Sequence, residues 1–394
     1  MEKGDLPICF FIDLSKAFDT LDHTILLKKL EHYGINDNAL KLFKSYLTNR
    51  SQYVEYDGVK SDLLTILTGV PQGSVLGPLL FLLYMNDIMQ ASKIFKLILF
   101  ADDTTLRTSL NTVKNGKRNC RNISEIINYE LERINIWMKA NKLSINIEKT
   151  KYMLFYKHNK VIPDLTFKIN TTTLEEVDEF PFLGLNIDCN LSWNAHIQKI
   201  SSKLNRTKGV LNKLKYTLPK NVKILLYNSF ILSQINYCIL AWGYKINDLT
   251  QHQKGLVRII SNKSYTAHSE PILKDLKLLK FEDLHKLNLI KFYFKYRRNE
   301  LPQYFQNFEF TQNQDIHNHD TRNKSDLHTN KVKHVYADEC IRNHILHFIN
   351  ELDQSIKDTI CKNSIKKVIK IFKKHTLANY NFICTDKNCY NCKN

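Results

Sequence analysis

The sequence lacks the features that would indicate a membrane-spanning or secreted protein. None of its apolar runs reaches the 18 residues of a candidate transmembrane helix, and its first residues do not resemble a secretory signal. Most of its nine cysteines are scattered singly along 394 residues, which is typical of reduced thiols rather than of a disulfide framework. We therefore expect an intracellular protein of the nucleus or the cytoplasm, with no membrane partner.

Acidic residues are scarce relative to basic ones. The chain has 57 Lys and Arg against 39 Asp and Glu, a net charge of +18, and this excess favours a polyanionic partner, nucleic acid before membrane. Hydrophobic residues make up 43% of the chain, so most of it should fold. Its length allows two or three domains.

Two adjacent acids, Asp102 and Asp103, interrupt a stretch of strand-favouring residues. Apolar residues before them and β-branched residues after them predict a β-hairpin with both acids at its tip. Adjacent carboxylates repel each other, so a fold that holds them together usually has a cation to offset the charge. Taken alone, the pair favours an ordinary acidic turn, because Asp is a common turn residue.

The order of the predicted elements favours the metal site over the turn. The pattern predicts an α+β order of strand 8–13, helix 78–91, two strands in 97–108, helix 121–140 and strand 151–156. This is the split βαββαβ arrangement, with an insertion after the first strand. The first strand would lie beside the central hairpin, so that Asp13 faces Asp102 and Asp103. Three carboxylates at one sheet edge of a basic protein indicate a metal site for phosphoryl chemistry.

The insertion has its own local signals. Asp22 is predicted to cap a helix that stops at Gly34, and a second helix is predicted from about Asn38 to Leu47. Residues 52–67 alternate like strands, with a hairpin turn at Asp57-Gly58. Residues 68–81 hold three of the 11 glycines and two of the eight prolines, which predicts a loop whose backbone approaches another group closely.

Five motifs, in order, resemble those of one family. Phe11-Ile-Asp-Leu-Ser-Lys-Ala-Phe-Asp19 resembles reverse transcriptase motif A, Gly69-Val-Pro-Gln-Gly-Ser-Val-Leu-Gly-Pro78 resembles motif B, and Phe100-Ala-Asp-Asp103 resembles motif C. Leu143-Ser-Ile-Asn-Ile-Glu-Lys-Thr-Lys151 is similar to motif D, and Phe182-Leu-Gly-Leu185 to motif E. Each motif alone is weak, but five in order are specific. The resemblance covers about Asp5 to Asp188 and is to the reverse transcriptases of non-LTR retrotransposons, the jockey and LINE-like elements.

The resemblance implies an RNA-directed DNA polymerase that uses two Mg²⁺ ions. Asp13 and Asp102 would hold the ions, with Asp103 beside them and the Leu14 carbonyl as a further ligand. One ion would activate the primer 3′-hydroxyl, and the other would neutralise the triphosphate and the leaving pyrophosphate. The proton donor to the pyrophosphate would be Lys149 or Lys151, although each would equally suit a solvated position.

The resemblance also implies substrate and primer contacts. Phe18 would stand against the ribose 2′ position and favour dNTPs over NTPs, unless it is an ordinary core aromatic. Gln72 and Gly73 would line the pocket for the incoming nucleotide and the template base, unless the loop is purely structural. The turn that grips the primer end would consist of Phe182, Leu183 and Gly184, and an ordinary hairpin would have the same sequence.

Three parts are predicted along the chain. Residues 1–190 would be a polymerase palm with its fingers largely missing, 191–300 a helical thumb-like region, and 301–394 a polar linker with a helical C-terminal segment and a Cys-rich end. Basic helical residues of the second part would contact phosphates of an RNA template and DNA primer without sequence preference. Basic and aromatic residues interleave in Lys295-Tyr-Arg-Arg298, which suits single-stranded RNA. The stretch from Gln303 to Lys333 is polar and is predicted to be a long loop.

The Cys-rich end resembles half of a zinc motif, formed by Cys384, Cys389 and Cys392. Structural zinc sites need four ligands, and no clear fourth ligand follows, with His375 the nearest histidine before it. We therefore expect free thiols here, unless a partner chain completes the site.

Two functions of different classes remain open. The intact carboxylates favour an active polymerase, whereas the missing fingers favour a remnant that binds nucleic acid without catalysis. Endonuclease and RNase H regions are also not recognised. An RNA-dependent RNA polymerase agrees less well, since that class usually has Gly before the paired acids where this chain has Ala101, and lacks a bulky residue like Phe18. The oligomeric state is not predicted.

Overall fold

The structure, a computed structural model, describes most of the chain. The described residues are 6–110, 120–156, 165–316, 324, 326–329 and 340–380. They form two compact units, each with its own hydrophobic core. The first unit runs to Phe180 and includes Asp188–Ser192, whereas the second contains Pro181–Ile187 and the described residues from Trp193 onward.

The predicted division into three parts concerns function and stays a prediction. The described residues on both sides of residue 300 pack together in one compact unit. The predicted zinc motif at Cys384, Cys389 and Cys392 lies outside the described residues.

Strands are short outside the first unit's central sheet. The described strands are β1 (Pro7–Ile12), β2 (Arg50–Gln52), β3 (Glu55–Tyr56), β4 (Val59–Lys60), β5 (Leu64–Ile66), β6 (Lys96–Phe100), β7 (Asp103–Ser109), β8 (Lys151–Leu154), β9 (Lys168–Ile169), β10 (Thr172–Thr173), β11 (Glu175–Glu176), β12 (Glu179–Phe182) and β13 (Leu185–Asp188).

The central sheet has the strand order β11-β8-β1-β7-β6. β1 lies in its middle and pairs antiparallel with β7 and with β8. Such a position needs apolar side chains on both faces, and Ile8, Phe10 and Ile12 on one face and Phe11 on the other are almost completely buried. The predicted α+β order of elements and the position of the first strand beside the hairpin are confirmed.

The described residues of the first unit include four α-helices, and their predicted positions are confirmed within a few residues. They are α1 (His23–His32), α2 (Asp37–Leu47), α3 (Leu76–Met85) and α4 (Cys120–Ala140). Asp22 caps α1 by accepting a hydrogen bond from the Ile25 N–H at 2.9 Å, and Gly34 follows with a left-handed φ of +88°. α3 ends earlier than predicted, because Asn86–Gln90 form a 3₁₀ turn.

The insertion contains two small antiparallel pairs. β2 pairs with β5, and β3 pairs with β4 across the predicted turn at Asp57-Gly58. These strands are mostly exposed, so they contribute little to the core.

The second unit is helical around a core that includes the buried Trp242. Its α-helices are α5 (Asn194–Lys213), α6 (Lys220–Leu226), α7 (Ser233–Asn236), α8 (Ile239–Trp242), α9 (Thr250–Ile260), α10 (Ser269–Asp275), α11 (Phe281–Arg297), α12 (Gln303–Gln306), α13 (Ile341–Glu351), α14 (Gln354–Lys362) and α15 (Ile365–Ala378). A π-helical segment, Tyr227–Leu232, joins α6 to α7.

The polar stretch after Gln303 differs from its prediction as a linker where the structure describes it. Its first residues form α12, and Phe305, Phe308 and Phe310 pack on the unit's core. Phe305 contacts Phe292 of α11 with ring centroids 5.2 Å apart. Three aromatic residues outweigh the polar composition, because their burial anchors the segment.

Within the described residues, no single helix is both long and apolar enough to cross a membrane. One bent pair, Lys220–Asn236 with Ile239–Ile260, reaches that length and composition only when the two helices are counted together, across an angle of 59°.

Candidate active site

The three predicted metal-binding acids lie at one end of the central sheet. The pairing of β1 with β7 ends with Ile12 opposite Thr104. The next residue of one strand is Asp13, and the neighbouring residue of the other is Asp103. Antiparallel pairing therefore brings these two acids to the same end of adjacent strands, although they are 90 positions apart in the sequence.

The predicted hairpin is confirmed, and its turn is tight. Phe100 pairs with Asp103, so only Ala101 and Asp102 form the turn. Ala101 has a φ of +52°, which costs free energy in a residue that carries a Cβ. Asp102 and Asp103 are exposed, whereas Asp13 is half-buried. The strained turn thus holds Asp102 out of the sheet, and Asp103 is the first residue of its strand.

The backbone around Asp13 is held by the segment that resembles motif D. The Asp13 carbonyl accepts a hydrogen bond from the Asn146 N–H at 2.9 Å, and the Asp13 N–H donates to the Thr150 hydroxyl at 3.3 Å. Leu14 forms an isolated β-bridge with Ile145. The Leu14 carbonyl, which was predicted as a further metal ligand, takes part in neither of these two hydrogen bonds of Asp13.

Electrostatic repulsion links the three acids. The pKa of the Asp103 carboxyl is raised above its usual value, mainly by partial burial and further by the charges of Asp102 and Asp13. Like charges that raise a neighbour's pKa favour the arrival of a proton or a cation.

The predicted convergence of these acids is only partly correct. In the part of the chain that the structure describes, no group of three His, Cys, Asp or Glu side chains is close enough to hold a metal ion. The acids share one end of the sheet without surrounding a common point. Their oxygens still suit Mg²⁺, which binds through one or two carboxylates and keeps water and substrate phosphates as its other ligands. The residues therefore fit the ion as a donor set.

The glycine-rich loop packs on the segment that follows β1. The Val70 N–H donates to the Phe18 carbonyl at 2.8 Å, and the Gly69 N–H donates to the Leu21 carbonyl at 2.8 Å. A Cβ on Gly69 would lie 2.8 Å from the Asp19 backbone, and Gly69 also has a left-handed φ of +85°. The predicted close approach of this loop to another group is confirmed, and the partner is the chain itself.

A cleft of about 790 Å³ opens beside this loop. Gln72 lines it and donates a hydrogen bond from Nε2 to Asp19 Oδ1 at 2.8 Å. Gly73 is not among the lining residues. The cleft also contains Arg50, whose guanidinium lies 5.7 Å from the centre of the Tyr46 ring. A pocket of this size that holds a cation and an amide suits a phosphorylated ligand.

Sequence analysis did not identify Arg50 or Asp19 as site residues. Arg50 is one of 57 basic residues, and neither its composition nor its spacing distinguishes it from the others. Asp19 closes the motif A-like segment, so the motif itself was a signal that could have drawn attention to it. Only the folding of the insertion against the glycine-rich loop places both residues on one cleft.

Phe18 and the two predicted lysines have different surroundings. The Phe18 ring is half-buried and packs on Phe81, with centroids 4.7 Å apart, so the core-aromatic alternative describes part of its role. The Lys151 ammonium is paired with the Glu175 carboxylate. Lys149 is exposed, and its ammonium has no acidic partner among the described residues. Of the two, Lys149 is the lysine free to meet a substrate.

The predicted primer-gripping turn is a two-residue hairpin in the second unit. Leu183 and Gly184 connect β12 to β13 with φ values of +45° and +83°. The Tyr237 hydroxyl donates to the Leu183 carbonyl at 2.6 Å, and a Cβ on Gly184 would lie 3.2 Å from that tyrosine ring. Phe182 is the last residue of β12. The Tyr237 side chain thus holds the turn in place.

Comparison with known proteins identifies similar sequences over most of the chain. Residues 2–187 match the family described as reverse transcriptase (RNA-dependent DNA polymerase). The RNA-directed DNA polymerase from mobile element jockey of Drosophila melanogaster is 26% identical over 299 residues, which are 72% of this chain and 31% of the relative. Its counterpart in Drosophila funebris is 27% identical over 301 residues, with the same shares of 72% and 31%. The chain thus spans about a third of the length of these curated relatives.

Telomerases are among the solved structures that are similar to this chain. An apo telomerase from Candida tropicalis, truncated from its C-terminal domain, has a TM-score of 0.32 and 18% identity, and the match covers 48% of this chain and 35% of that one. A TM-score this low does not identify a shared fold.

Proposed function

We propose, from the premise that residues 2–187 are a reverse transcriptase domain, that this chain is the RNA-directed DNA polymerase of a non-LTR retrotransposon. It would transfer a nucleotide from a dNTP to the 3′-hydroxyl of a DNA primer paired with an RNA template. One observation carries the proposal: within the matched domain, strand pairing brings Asp13 beside Asp103 and the strained turn presents Asp102 next to them.

The acids would hold two Mg²⁺ ions, as the resemblance implied. Asp13 and Asp102 would bind them, with Asp103 adjacent and the Leu14 carbonyl as a further donor. Bound Mg²⁺ activates the primer hydroxyl and neutralises the triphosphate and the leaving pyrophosphate. The chain itself supplies position. Thr150 and Asn146 hold the Asp13 backbone, and the left-handed Ala101 directs Asp102 away from the sheet.

The cleft beside the glycine-rich loop would receive the incoming nucleotide or the template base. Gln72 would contact the nucleotide, and its side-chain amide would be held in place by the hydrogen bond to Asp19. Arg50 would pair with a phosphate of the nucleotide. Phe18 would stand against the ribose 2′ position, with Phe81 packed on its ring to keep it from moving aside. Lys149 would donate a proton to the pyrophosphate.

In this proposal the two units have different tasks. The first unit is the polymerase palm, built on the split βαββαβ sheet, and the helical second unit acts as a thumb whose cations contact backbone phosphates. The turn of Phe182, Leu183 and Gly184 would grip the primer end. We also propose that the protein is located in the nucleus or the cytoplasm.

Primer extension tests the proposal directly. The purified chain is given an RNA template, a DNA primer, dNTPs and Mg²⁺, in parallel with Asp102→Asn and with Asp62→Asn, an exposed acid in the insertion, as the matched control. We expect extension by the wild type and by Asp62→Asn, and its loss in Asp102→Asn. Extension that persists in Asp102→Asn would overturn the assignment of the site.

The second candidate function is binding without catalysis. The absence, among the described residues, of three acids close enough to hold a metal favours it. No extension by folded wild-type protein, together with salt-dependent binding of primer–template, would support this alternative. If neither extension nor binding occurs, both functions fail.

A further inference from the structure

A second cleft, of about 400 Å³, lies entirely within the helical second unit. We call it the basic cleft. It is formed by α5, by α9 and by the residues that follow each of these helices, and its lining residues are Asn205, Lys208, Gly209, Asn212, Lys215, Gly255, Arg258, Ile259, Lys263 and Tyr265. None of them belongs to the candidate active site or to the motifs identified from the sequence.

The basic cleft carries four cationic side chains and no acidic one among its lining residues. The cations are Lys208, Lys215, Arg258 and Lys263. An acid in electrostatic reach, Asp275, is already paired with Lys220 at 2.7 Å, and Lys263 contributes to the lowering of its pKa. A concave surface with a net positive charge attracts an anion, and phosphate oxygens are a ligand that several cations can share.

An exposed aromatic ring stands at the cleft. Tyr265 is 81% exposed, so its ring is accessible to a ligand. The Arg258 guanidinium lies 5.6 Å from the centre of this ring and supports it from one side. Asn205 and Asn212 add amide groups that can donate and accept hydrogen bonds. The aromatic ring and the amides suit a nucleic-acid base, and the cations beside them suit the phosphate to which that base is attached through its sugar.

The walls of the basic cleft are held by buried hydrogen bonds. The Lys223 side chain is 1% exposed and donates to the Lys215 carbonyl at 2.9 Å and to Asn262 Oδ1 at 2.7 Å. Arg258 Nε donates to the Ala267 carbonyl at 2.7 Å, which ties the loop that carries Tyr265 to α9. A buried ammonium needs such partners, so the two walls are fixed relative to each other.

A glycine keeps one wall of the cleft open. A Cβ built on Gly209, near the C-terminal end of α5, would meet no atom within 4 Å. Glycine inside a helix costs roughly 1 kcal/mol relative to alanine, and packing against a neighbour does not explain it here. Its effect is to leave room in the cleft.

We propose that the basic cleft binds a single-stranded nucleic acid, with a phosphate on Lys208 and Lys263 and a base stacked on Tyr265. A single strand is the occupant because its base faces are free, whereas those of a duplex are stacked inside the helix. RNA and DNA strands share this chemistry. All the residues that would contact the strand in this cleft belong to the second unit.

Fluorescence anisotropy with short labelled RNA and DNA strands, without dNTP or Mg²⁺, tests the charges. Lys208→Gln with Lys263→Gln should weaken binding roughly tenfold and reduce the slope of log K against log salt by about 0.7, because the two lysines share one phosphate contact and such a contact on a single strand contributes about 0.7. Lys213→Gln, an exposed lysine of α5 outside the cleft, is the control and should leave the slope unchanged. An equal loss in the control, or none in the double variant, overturns the proposal.

Three substitutions at two uncharged positions test the aromatic ring of Tyr265 and the open space beside Gly209. Tyr265→Ala should weaken single-strand binding at least fivefold, and Tyr265→Phe should restore it, since stacking does not need the hydroxyl. Gly209→Leu should fill the cleft and weaken binding while the unfolding midpoint stays the same or rises, because Leu favours helix more than Gly. Unchanged binding in both Tyr265→Ala and Gly209→Leu overturns the proposal, as does an equal effect on a duplex of the same length.

The proposal shares with the proposed function only the premise of a nucleic-acid partner. The binding assay needs no catalysis, so loss of primer extension leaves its result intact. Conversely, a basic cleft that binds nothing leaves the polymerase proposal to be decided by Asp102→Asn. A photoreactive base in the bound strand should crosslink to Tyr265, and crosslinks confined to other residues would refute the site.

Discussion

Gln72 Nε2 donates a hydrogen bond to Asp19 Oδ1 at 2.8 Å, and this bond joins the glycine-rich loop to the end of the motif A-like segment. Two motifs that are separate in the sequence thus become one wall of a cleft that Arg50 also lines. The bond fixes the orientation of the Gln72 amide, since its NH₂ end must face the carboxylate. The other end of the amide is left available for a ligand.

Substitutions at Gln72 and Asp19 test whether these two side chains interact. Gln72→Glu places two carboxylates within hydrogen-bond distance, and we expect it to lower the free energy of unfolding by about 1 kcal/mol, because the pair is exposed. Adding Asp19→Asn should recover most of this loss, since an amide again faces a carboxylate. Urea unfolding of the four members of the double-mutant cycle measures the coupling. Additive effects would show that the two side chains do not interact in solution.

Gly69 and Gly73 offer a matched pair of substitutions in the same loop. Both have left-handed φ values, +85° and +79°, but only a Cβ on Gly69 would meet the Asp19 backbone, at 2.8 Å. Gly73→Ala should cost about 1 kcal/mol for its φ alone. Gly69→Ala should cost at least about 2 kcal/mol more, because two backbone segments must separate. Thermal or urea unfolding compares them, and equal losses would contradict the close approach.

Asp102→Asn should stabilise the protein while it abolishes catalysis. The pKa of Asp103 is raised by burial first and then by the charges of Asp102 and Asp13, so the charged acids destabilise the fold at pH values above that pKa. Removing one charge should raise the free energy of unfolding in chelator at neutral pH, by no more than about 1 kcal/mol since the acids are exposed.

Added MgCl₂ should then raise the unfolding midpoint of the wild type more than that of Asp102→Asn, because an ion that binds the folded state stabilises it. The Asp62→Asn variant should respond like the wild type. A variant less stable than the wild type in chelator, or an equal response to MgCl₂, would argue against repulsion and against a metal at these acids.

Phe18 is expected to act both in the core and at the substrate. Phe18→Val leaves a gap beside Phe81 and should lower the free energy of unfolding by about 1–3 kcal/mol. If the ring also excludes a 2′-hydroxyl, the same change should raise incorporation of NTPs relative to dNTPs in primer extension. Leu30→Ala is the control, because it disturbs the same core at a fully buried residue that does not line the cleft beside the glycine-rich loop. A loss of stability with an unchanged ratio of NTP to dNTP incorporation would leave Phe18 a purely structural residue.

Two buried histidines should make the second unit sensitive to acid. Burial, followed by neighbouring positive or ionisable groups, lowers the pKa of His196 and of His285 to about 4, from an ordinary value of 6.5. A lowered pKa means that the unfolded chain takes up the proton first. The stability that each neutral ring contributes is therefore complete above pH 6.5 and is lost as the pH falls towards 4, by at most about 3 kcal/mol each.

The measurement is urea unfolding as a function of pH, with helical signal as the readout. His196→Asn keeps an acceptor near the position of Nδ1, which accepts a hydrogen bond from the Asn186 N–H at 3.3 Å, and should flatten the pH dependence. A wild-type curve that is already flat between pH 7 and 4.5 would exclude this role for both rings.

The local elements of the first unit could be predicted because each depends on its own residues. The buried run before Asp13, the Asp22 cap and the strand–turn–strand pattern around Asp102 are short-range signals, and the structure confirms them. The stretch after Gln303 packs on the core more closely than its polar composition indicated, because its phenylalanines contact the rings of Phe292, Tyr293 and Tyr296 on α11.

The sequence by itself determined the order of strands and helices, the motifs and the strongly basic charge, since these follow from periodicity, turn chemistry and composition. Only the tertiary structure decided that the three acids share a sheet end without closing on one point, that Arg50 and Asp19 line a cleft with Gln72, and that Lys208, Lys263 and Tyr265 meet in the basic cleft. Those relationships join residues far apart along the chain. They depend on how whole elements pack, and no local pattern encodes the distance between two side chains on different elements.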